Sequence, residues 1–212
     1  MNNSSTRQIK RERERQRIAR KRIEASPRKV RDIIEDYNTM YRDPVFSRDL
    51  VWNDILKRDY IKSIFNGLAA SSVILADIQS CLEAAQHRGN EYGVKMLEEQ
   101  VKKFRVSKLD GNNRTAALKA FYNGEFTISG IFQDLDGHNH TVNNQFFSDL
   151  PQRLQDTYLE MPVVVTTMHG YTYREMVATF IDIQKGAELS RAEIRWANLT
   201  PYNPWVKNHR EQ

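Results

Sequence analysis

The sequence predicts an α+β protein in which helices pack on a small mixed sheet. Three observations lead to this prediction. Short apolar stretches typical of buried strands are mixed irregularly with amphipathic helical stretches, which disfavours a doubly wound parallel sheet. Two alternating stretches flank Asp136-Gly137, a dipeptide that favours a β-hairpin turn. The chain has 212 residues, enough for one sizeable core but too few for two large domains.

The first part of the chain is predicted to contain three helices and one strand. The predicted elements are a helix over residues 5–25, a helix over residues 27–40, an extended segment over residues 44–52, a helix from residue 53 to residue 67, and a strand over residues 72–76. Pro27 suits the first turn of a helix, where its missing N–H costs nothing. Asn53 is a favoured N-cap residue, and Gly67 is a favoured residue for ending a helix.

The second part alternates further between helices and strands. The predicted elements are a helical region over residues 77–103 broken near residues 88–90, a strand over 104–109, a helix over 115–122, hairpin strands over 126–133 and 140–147, a helix over 149–159, a strand over 162–168, a helix over 172–185, and a helix starting at residue 190. Ser190 and Glu193 have the spacing of a capping box, which supports the last helix.

Composition excludes several classes of protein. No apolar run approaches the roughly 18 residues that a membrane-spanning helix needs. The basic N-terminus is not followed by the apolar stretch of a secretory signal. The single cysteine, Cys81, cannot form an internal disulfide, which fits a reducing compartment. The sequence therefore predicts a cytoplasmic protein that does not associate with membranes.

The charge of the chain is divided unevenly along its length. Residues 1–31 contain 12 Lys or Arg and 3 Glu, a net charge of +9, whereas the remaining 181 residues contain 20 basic and 24 acidic side chains, a net charge of −4. The overall value of +5 describes neither part. We therefore expect a basic helical arm over residues 1–26 and one mildly acidic domain over residues 27–212.

The basic arm has three interpretations. It contacts nucleic acid through phosphates, or it binds an acidic partner or the acidic body of a second copy, or it is a solvated tail with helical tendency. We favour DNA, because the positive charge is dense. The residues expected to contact it are Arg11, Arg13, Arg17, Arg20, Lys21 and Arg22. The thin apolar stripe of the arm lacks aromatic residues, which argues against insertion into a membrane.

The segment from Lys108 to Leu118 carries the chemistry. A predicted strand runs into a tight turn at Asp110-Gly111, and a helix begins at once. Backbone N–H groups at such a helix start form an anion site together with the helix dipole. Arg114 adds a guanidinium suited to phosphate oxygens. The plain alternative is an ordinary strand-to-helix turn with a surface arginine.

The motif and its neighbours resemble a known family. Asp110-Gly111-Asn112-Asn113-Arg114 resembles the D-G-Q-Q-R signature of the ParB-like (sulfiredoxin-like) domain at the N-terminus of GmrSD-type restriction endonucleases. The early segment PVFSRDLVWN is similar to the family's aromatic, Gln-Arg and Trp pattern, and FIDIQKGAELSRAEIRWA is similar to its late motif. The late matches are Phe180, Ile183, Gly186, Leu189, Ser190, Glu193 and Ala197. The resemblance covers roughly residues 40–198. GNNRTAA also resembles the G-x-x-R-x-x-A-A phosphate motif of ParB nucleotide-binding domains.

The resemblance implies a ParB/sulfiredoxin-like fold that binds nucleoside triphosphates, which some relatives hydrolyse in DNA restriction or defence. It implies catalytic roles for Asp110, Asn112, Asn113 and Arg114. It implies phosphate or nucleotide contacts for Arg48, Trp52, Lys108, Gly111 and Thr115. Asp110 and Asp49 are the candidate Mg²⁺ ligands, since hard cations prefer carboxylate and phosphate oxygens. The alternative for Asp110 is that it caps the turn, and we favour a mixed role.

Departures from the family pattern qualify the expected activity. Ser47 stands where the family has Gln, Asn112-Asn113 replaces a Gln pair, and Gln184 replaces a late Asn. Binding tolerates these changes better than hydrolysis, because catalysis is sensitive to misplacement of about 1 Å. The HNH-like nuclease domain of GmrSD-type enzymes is not expected, because little sequence follows the late motif. Cleavage of DNA would then need a nuclease partner, and self-association is a further expectation.

Two other features of the sequence carry groups that are chemically reactive or able to bind metal. Asp134, Asp136, His138 and His140 form either a metal cluster or, as we favour, the polar decoration of a hairpin turn. Cys81 is expected to be a small buried apolar residue rather than a nucleophile. The alternative function for the whole chain is a non-enzymatic nucleic-acid-binding or regulatory protein that uses the basic arm.

Overall fold

The α+β prediction is confirmed. A computed structural model describes residues 20–43, 50–67 and 73–185, with side chains described through residue 182. This part of the chain forms a five-stranded mixed sheet, a separate two-stranded hairpin and seven α-helices. The strands are β1 (Arg22–Lys29), β2 (Met40–Tyr41), β3 (Val73–Asp77), β4 (Val106–Asp110), β5 (Ile128–Gln133), β6 (Asn139–Gln145) and β7 (Pro162–His169). The α-helices are α1 (Val30–Asp36), α2 (Asp54–Phe65), α3 (Ile78–His87), α4 (Glu91–Val101), α5 (Asn112–Tyr122), α6 (Gln152–Glu160) and α7 (Tyr173–Lys185).

The five-stranded sheet has the order β1-β7-β3-β4-β2. The pairs β1–β7 and β3–β4 are antiparallel, whereas β7–β3 and β4–β2 are parallel. Strand β7, which is rich in β-branched residues, is therefore an interior strand of the sheet rather than an edge strand. Among the described residues, strands β5 and β6 pair only with each other, in antiparallel register around the Asp136-Gly137 turn.

Each face of the large sheet is covered by its own core. Helices α1, α2, α5 and α6 and the hairpin pack on one face, and α3, α4 and α7 pack on the other. Alternation along β7 supplies both cores, because Val163 and Val165 face the first while Met168 faces the second. The hydroxyl of Tyr158 on α6 donates a buried hydrogen bond of 3.0 Å to the carbonyl of Leu118 on α5, which contributes about 1 kcal/mol to stability.

The first prediction to fail concerns the end of the basic arm. Residues 22–25, predicted as helix, are the first half of strand β1, and the next helix starts at Val30 rather than at Pro27. β1 pairs along its whole length with β7, and these backbone hydrogen bonds outweigh a weak helical propensity. Pro27 is accommodated because β1 is an edge strand. The sheet therefore extends across the predicted boundary at residue 26.

Most other elements were predicted correctly in kind and differ by a few residues at their ends. Asn53 caps α2, accepting a 3.0 Å hydrogen bond from the N–H of Leu56. The break near residues 88–90 separates α3 from α4, with Asn90 as the second N-cap. The main part of the predicted arm helix (residues 5–19), most of the extended segment (44–49) and the helix starting at residue 190 lie outside the described residues.

Within the described ranges, no helix combines the length and the apolar character that crossing a membrane would require.

Candidate functional site

The predicted strand–turn–helix is present at the carboxyl end of β4. The strand ends at Asp110, Gly111 has a φ of +95°, and α5 begins at Asn112. A Cβ on Gly111 would lie 3.1 Å from Cγ2 and 3.2 Å from Cα of Val73 on β3. Both the positive φ and the neighbouring strand therefore require glycine at this position.

The first turn of α5 is held from inside by Thr115. Its N–H donates to the carbonyl of Gly111 at 2.9 Å, and its hydroxyl donates to the carbonyl of Asn112 at 3.2 Å. Gly111, as the N-cap residue, provides no side-chain hydrogen bond to this turn. Thr115 and Asn112 are buried, whereas Asn113 is partly exposed. Of the predicted site residues, Thr115 therefore supports the turn rather than facing a ligand.

Arg114 and Asp110 form an ion pair across the turn. Nη1 of Arg114 is 3.2 Å from Oδ2 of Asp110, and the two side chains are 28% and 31% exposed. Because both groups reach solvent, a phosphate could approach the guanidinium and a cation could approach the carboxylate. Of the two predicted magnesium ligands, Asp110 lies within the described residues and Asp49 does not. One carboxylate completed by phosphate and water oxygens is a usual coordination for Mg²⁺, so the residue fits that role.

Lys108 differs from this exposed pair. It lies on the same face of β4 as Asp110, but its side chain is buried and its ammonium lies 4.3 Å from the centre of the Tyr37 ring. Burial, together with the nearby charge of Arg42, lowers the pKa of Lys108 to about 8. Close to neutral pH this lysine is therefore easier to deprotonate than an ordinary one.

A groove of about 460 Å³ adjoins the turn along the outer side of α5. Asn113 belongs to both features, since it lines the groove and its Oδ1 accepts a 3.2 Å hydrogen bond from the N–H of Trp52. Trp52 also lines the groove, and its ring meets that of Tyr60 edge-on at 5.4 Å. The described residues that line it are Tyr37, Asn38, Leu50, Trp52, Lys57, Asn113, Ala116, Lys119, Ala120, Asn123 and Glu125.

Several lining residues were missed at the sequence level. Lys119 and Asn123 share a helical stripe with Asn113, and that period was visible in the sequence. Tyr37 and Lys57 come from distant segments that only the fold brings to α5. Burial raises the pKa of the Tyr37 phenol; the charge of Arg42 opposes this effect, and the nearby Glu125 carboxylate adds to it. Arg48 and Asp49, predicted to join this site, lie outside the described residues.

The hairpin cluster is built around a buried aspartate. One oxygen of Asp134 accepts hydrogen bonds from the backbone N–H groups of Asp136 and His138 at 3.0 and 2.9 Å. Its other oxygen is 2.9 Å from Nε2 of His140. The hydrogen bond with His140, aided by the backbone bonds, lowers the pKa of Asp134 to about 2.

A metal at this turn would have to compete with these bonds. The ligand atoms of Asp134, Asp136 and His138 lie within 4.8 Å of one another, but Asp136 also pairs with Arg153 at 2.7 Å. The geometry therefore favours the turn-stabilising interpretation of the cluster.

The described part of the basic arm lies beside a second groove, of about 690 Å³, where the parallel strands β3 and β7 end. Arg20, Lys21 and Arg22 line it together with Glu24, Asp77, Glu83 and His169. Two of the three cations are paired with carboxylates, since Lys21 is 2.5 Å from Glu175 and Arg22 is 2.7 Å from Glu24. Two of the six residues predicted to contact nucleic acid therefore have their charge balanced by acidic groups. Arg11, Arg13 and Arg17 lie outside the described residues.

Cys81 is buried in the second core, as predicted for a small apolar residue. Burial raises the pKa of its thiol to about 12. The thiolate, which is the nucleophilic form, is therefore scarce at neutral pH.

Comparisons with protein-family models, with curated proteins and with solved structures return no match to this chain. The similarity to the ParB-like domain family therefore depends on the sequence motifs alone.

Proposed function

We propose that this protein binds nucleoside triphosphates at the turn between β4 and α5 and in the groove that continues from it. The observation that carries the proposal is the continuity of the two features at Asn113. The turn offers a cationic group and a helix start, and the groove offers aromatic and amide side chains. The groove volume of about 460 Å³ falls within the range of small-molecule sites.

The phosphates would bind at the turn. The start of α5 carries a partial positive charge, and its first N–H groups point away from the helix body. The Arg114 guanidinium would exchange its 3.2 Å contact with Asp110 for phosphate oxygens, or it would contact both Asp110 and the phosphate. Asn113 would orient the phosphates or a water, since its side chain is partly exposed, whereas that of Asn112 is buried.

Magnesium and hydrolysis are part of the same proposal. Asp110 would hold Mg²⁺, which neutralises phosphate charge when bound. The relation to DNA restriction or defence systems, with a nuclease supplied by a partner, follows from the motif resemblance. Release of phosphate from the bound nucleotide would make the protein an NTPase, and binding without release would make it a nucleotide-dependent regulator.

Calorimetric titration of the full chain with each nucleoside triphosphate and Mg²⁺ tests the proposal. We expect at least one nucleotide to bind. We expect Arg114→Ala to weaken that binding by about 10- to 100-fold, because a hydrogen bond to a charged group is worth about 1.5–3 kcal/mol. The matched control is Arg153→Ala, which removes an exposed arginine paired with Asp136 on a different part of the surface. No binding to any nucleotide, or equal binding by Arg114→Ala and wild type, would contradict the proposal.

DNA is a second candidate ligand, favoured by the net charge of +9 in residues 1–31. Since Lys21 and Arg22 are paired with carboxylates, we place the contacts mainly on Arg11, Arg13 and Arg17. Each arginine that contacts a phosphate adds about 1 to the slope of log affinity against log salt concentration.

A triple variant tests the DNA contacts in the full chain. Arg11→Gln, Arg13→Gln and Arg17→Gln together should reduce the salt slope by about 3 and weaken binding to a short duplex, measured by fluorescence anisotropy. The control with the same change in charge is Lys95→Gln, Lys102→Gln and Lys103→Gln, on or just after α4. Equal losses in the two triple variants would show that the arm is not the contact surface.

A further inference from the structure

The groove beside α5 has the length that a nucleotide needs. Its floor follows one stripe of the helix, through Asn113, Ala116, Ala120 and the C-cap residue Asn123. At 1.5 Å per residue this stripe is about 15 Å long, close to the length of an extended nucleoside triphosphate. The two alanines have short side chains, so the middle of the stripe leaves room between the surrounding walls.

The two ends of the groove differ chemically. Asn113 marks the end beside Arg114, where the helix start and the guanidinium suit phosphates. The other end contains Asn123 and Glu125, near Tyr37. Lys57 and Lys119 line the same groove and add positive charge along it. A ligand with an anionic end and a flat, hydrogen-bonding end would match this arrangement.

The hydrogen-bonding end presents a carboxylate. Nδ2 of Asn123 is 3.4 Å from Oε1 of Glu125, and this contact helps to orient the group. An ionised carboxylate accepts hydrogen bonds through two oxygens and donates none. A base that faces it must therefore offer donors, and two adjacent donors match two oxygens best.

Among the common bases, guanine meets this requirement. Its N1–H and 2-amino groups lie side by side on one edge. Adenine and cytosine place a ring acceptor beside their amino group, and uracil places a carbonyl on each side of its single N–H. A carboxylate therefore attracts the two donors of guanine. In each of the other bases, an acceptor next to the donor repels it. Tyr37, whose ring also has the Lys108 ammonium 4.3 Å from its centre, is partly exposed and supplies an aromatic surface of the kind on which bases stack.

We propose that the groove selects a guanine nucleotide, bound lengthwise, with its base at Tyr37 and the Glu125 carboxylate accepting from N1–H and the 2-amino group. The triphosphate lies at the Asn113 and Arg114 end. The inference rests on the proposed nucleotide-binding function and specifies its ligand.

Calorimetry on the full chain with GTP, ITP, ATP and inorganic tripolyphosphate, each with Mg²⁺, tests the inference. ITP lacks the 2-amino group, so its comparison with GTP isolates that contact. A good two-point contact to a base discriminates by about 1–3 kcal/mol, so we expect GTP to bind about tenfold more tightly than ITP or ATP. Glu125→Gln should remove most of this difference and leave tripolyphosphate binding unchanged. Glu98→Gln, an exposed glutamate on α4, is the matched control.

The outcomes separate this inference from the function on which it rests. If tripolyphosphate and all nucleotides bind with similar affinity in wild type and Glu125→Gln, and Arg114→Ala weakens that binding as expected, then base selection is wrong and nucleotide binding stands. If GTP binds more tightly than ATP but Glu125→Gln keeps the difference, then Glu125 is not the selecting group. If neither tripolyphosphate nor any nucleotide binds, both the inference and the proposed function are wrong.

Discussion

Lys108 and Asp110 show how two charged residues on the same strand face acquire different chemistry. The sequence places both at a strand end beside a helix start, and the motif resemblance implies a phosphate contact for Lys108 and a catalytic and Mg²⁺-binding role for Asp110. The structure leaves Asp110 partly exposed and paired with Arg114, whereas Lys108 is buried against Tyr37. The local motif could predict the turn, but it could not predict the burial of Lys108, because Tyr37 comes from a distant segment.

Asp134 is the residue at which charge contributes most clearly to local structure. Its carboxylate joins three hydrogen bonds across the turn between β5 and β6. Its pKa falls to about 2 from an ordinary value of 3.8, which means that the folded state stabilises the ionised form of this carboxyl group. The stabilisation is complete above about pH 4 and is lost as the pH falls through about 2.

Replacing Asp134 tests that account. Asp134→Asn should lower the urea midpoint of unfolding at neutral pH, because a neutral amide is a weaker acceptor and one of its ends cannot accept. The difference from wild type should shrink as the pH falls from about 4 towards about 2, where the native carboxylate becomes protonated. Asp59→Asn, an exposed carboxylate on α2, is the control and should shift the midpoint little. A difference that stays constant over this pH range would contradict the assignment.

At the scale of elements, α5 illustrates how one helix serves the core and the candidate site. Leu118 and Phe121 are fully buried in the first core, while Asn113 and Asn123 line the groove on the other side. This division follows from the helical period, so the sequence could predict both faces of the helix. It could not predict what lies opposite the polar stripe, because those residues come from α2 and from the segment after α1.

Strand β1 shows where local sequence is insufficient. Residues 22–25 continue a charged stretch rich in helix-forming residues, and they were predicted as helix. They form a strand because the adjacent edge of β7 offers a row of backbone donors and acceptors, and pairing satisfies them. The arm therefore joins the sheet before residue 26, and an experiment that removes residues 1–26 would also remove half of this strand.

At the scale of the whole molecule, the two cores share one sheet. Phe121 lies in the first core, with Tyr158, Phe126 and Phe147 at 5.3, 5.5 and 5.8 Å between ring centres. Cys81 lies in the second core, on the opposite face of the sheet. Because residues of the same strand, β7, contribute to both cores, we expect the two cores to unfold together.

Labelling of Cys81 with a thiol reagent tests this coupling. Phe121→Ala should reduce the free energy of unfolding by about 3–5 kcal/mol. If the cores unfold together and refolding is fast relative to labelling, the rate of Cys81 modification should rise about a hundredfold or more. Phe121→Leu should give an intermediate rate, and Ile131→Ala, at an exposed hairpin position, should leave the rate nearly unchanged. An unchanged rate in a demonstrably destabilised Phe121→Ala protein would show that the cores unfold separately.

The sequence by itself determined the α+β class, most helices and strands, the glycine turn after β4 and the split of charge between the arm and the body. These properties depend on periodicity, capping and turn residues, which act over a few neighbouring positions. The tertiary structure alone decided the order of the sheet, the incorporation of residues 22–29 as its edge strand, the burial of Lys108 and the groove that joins Tyr37, Trp52 and Glu125 to α5. These features depend on contacts between distant segments, and the free energy of such contacts is set by packing and backbone pairing that no local pattern records.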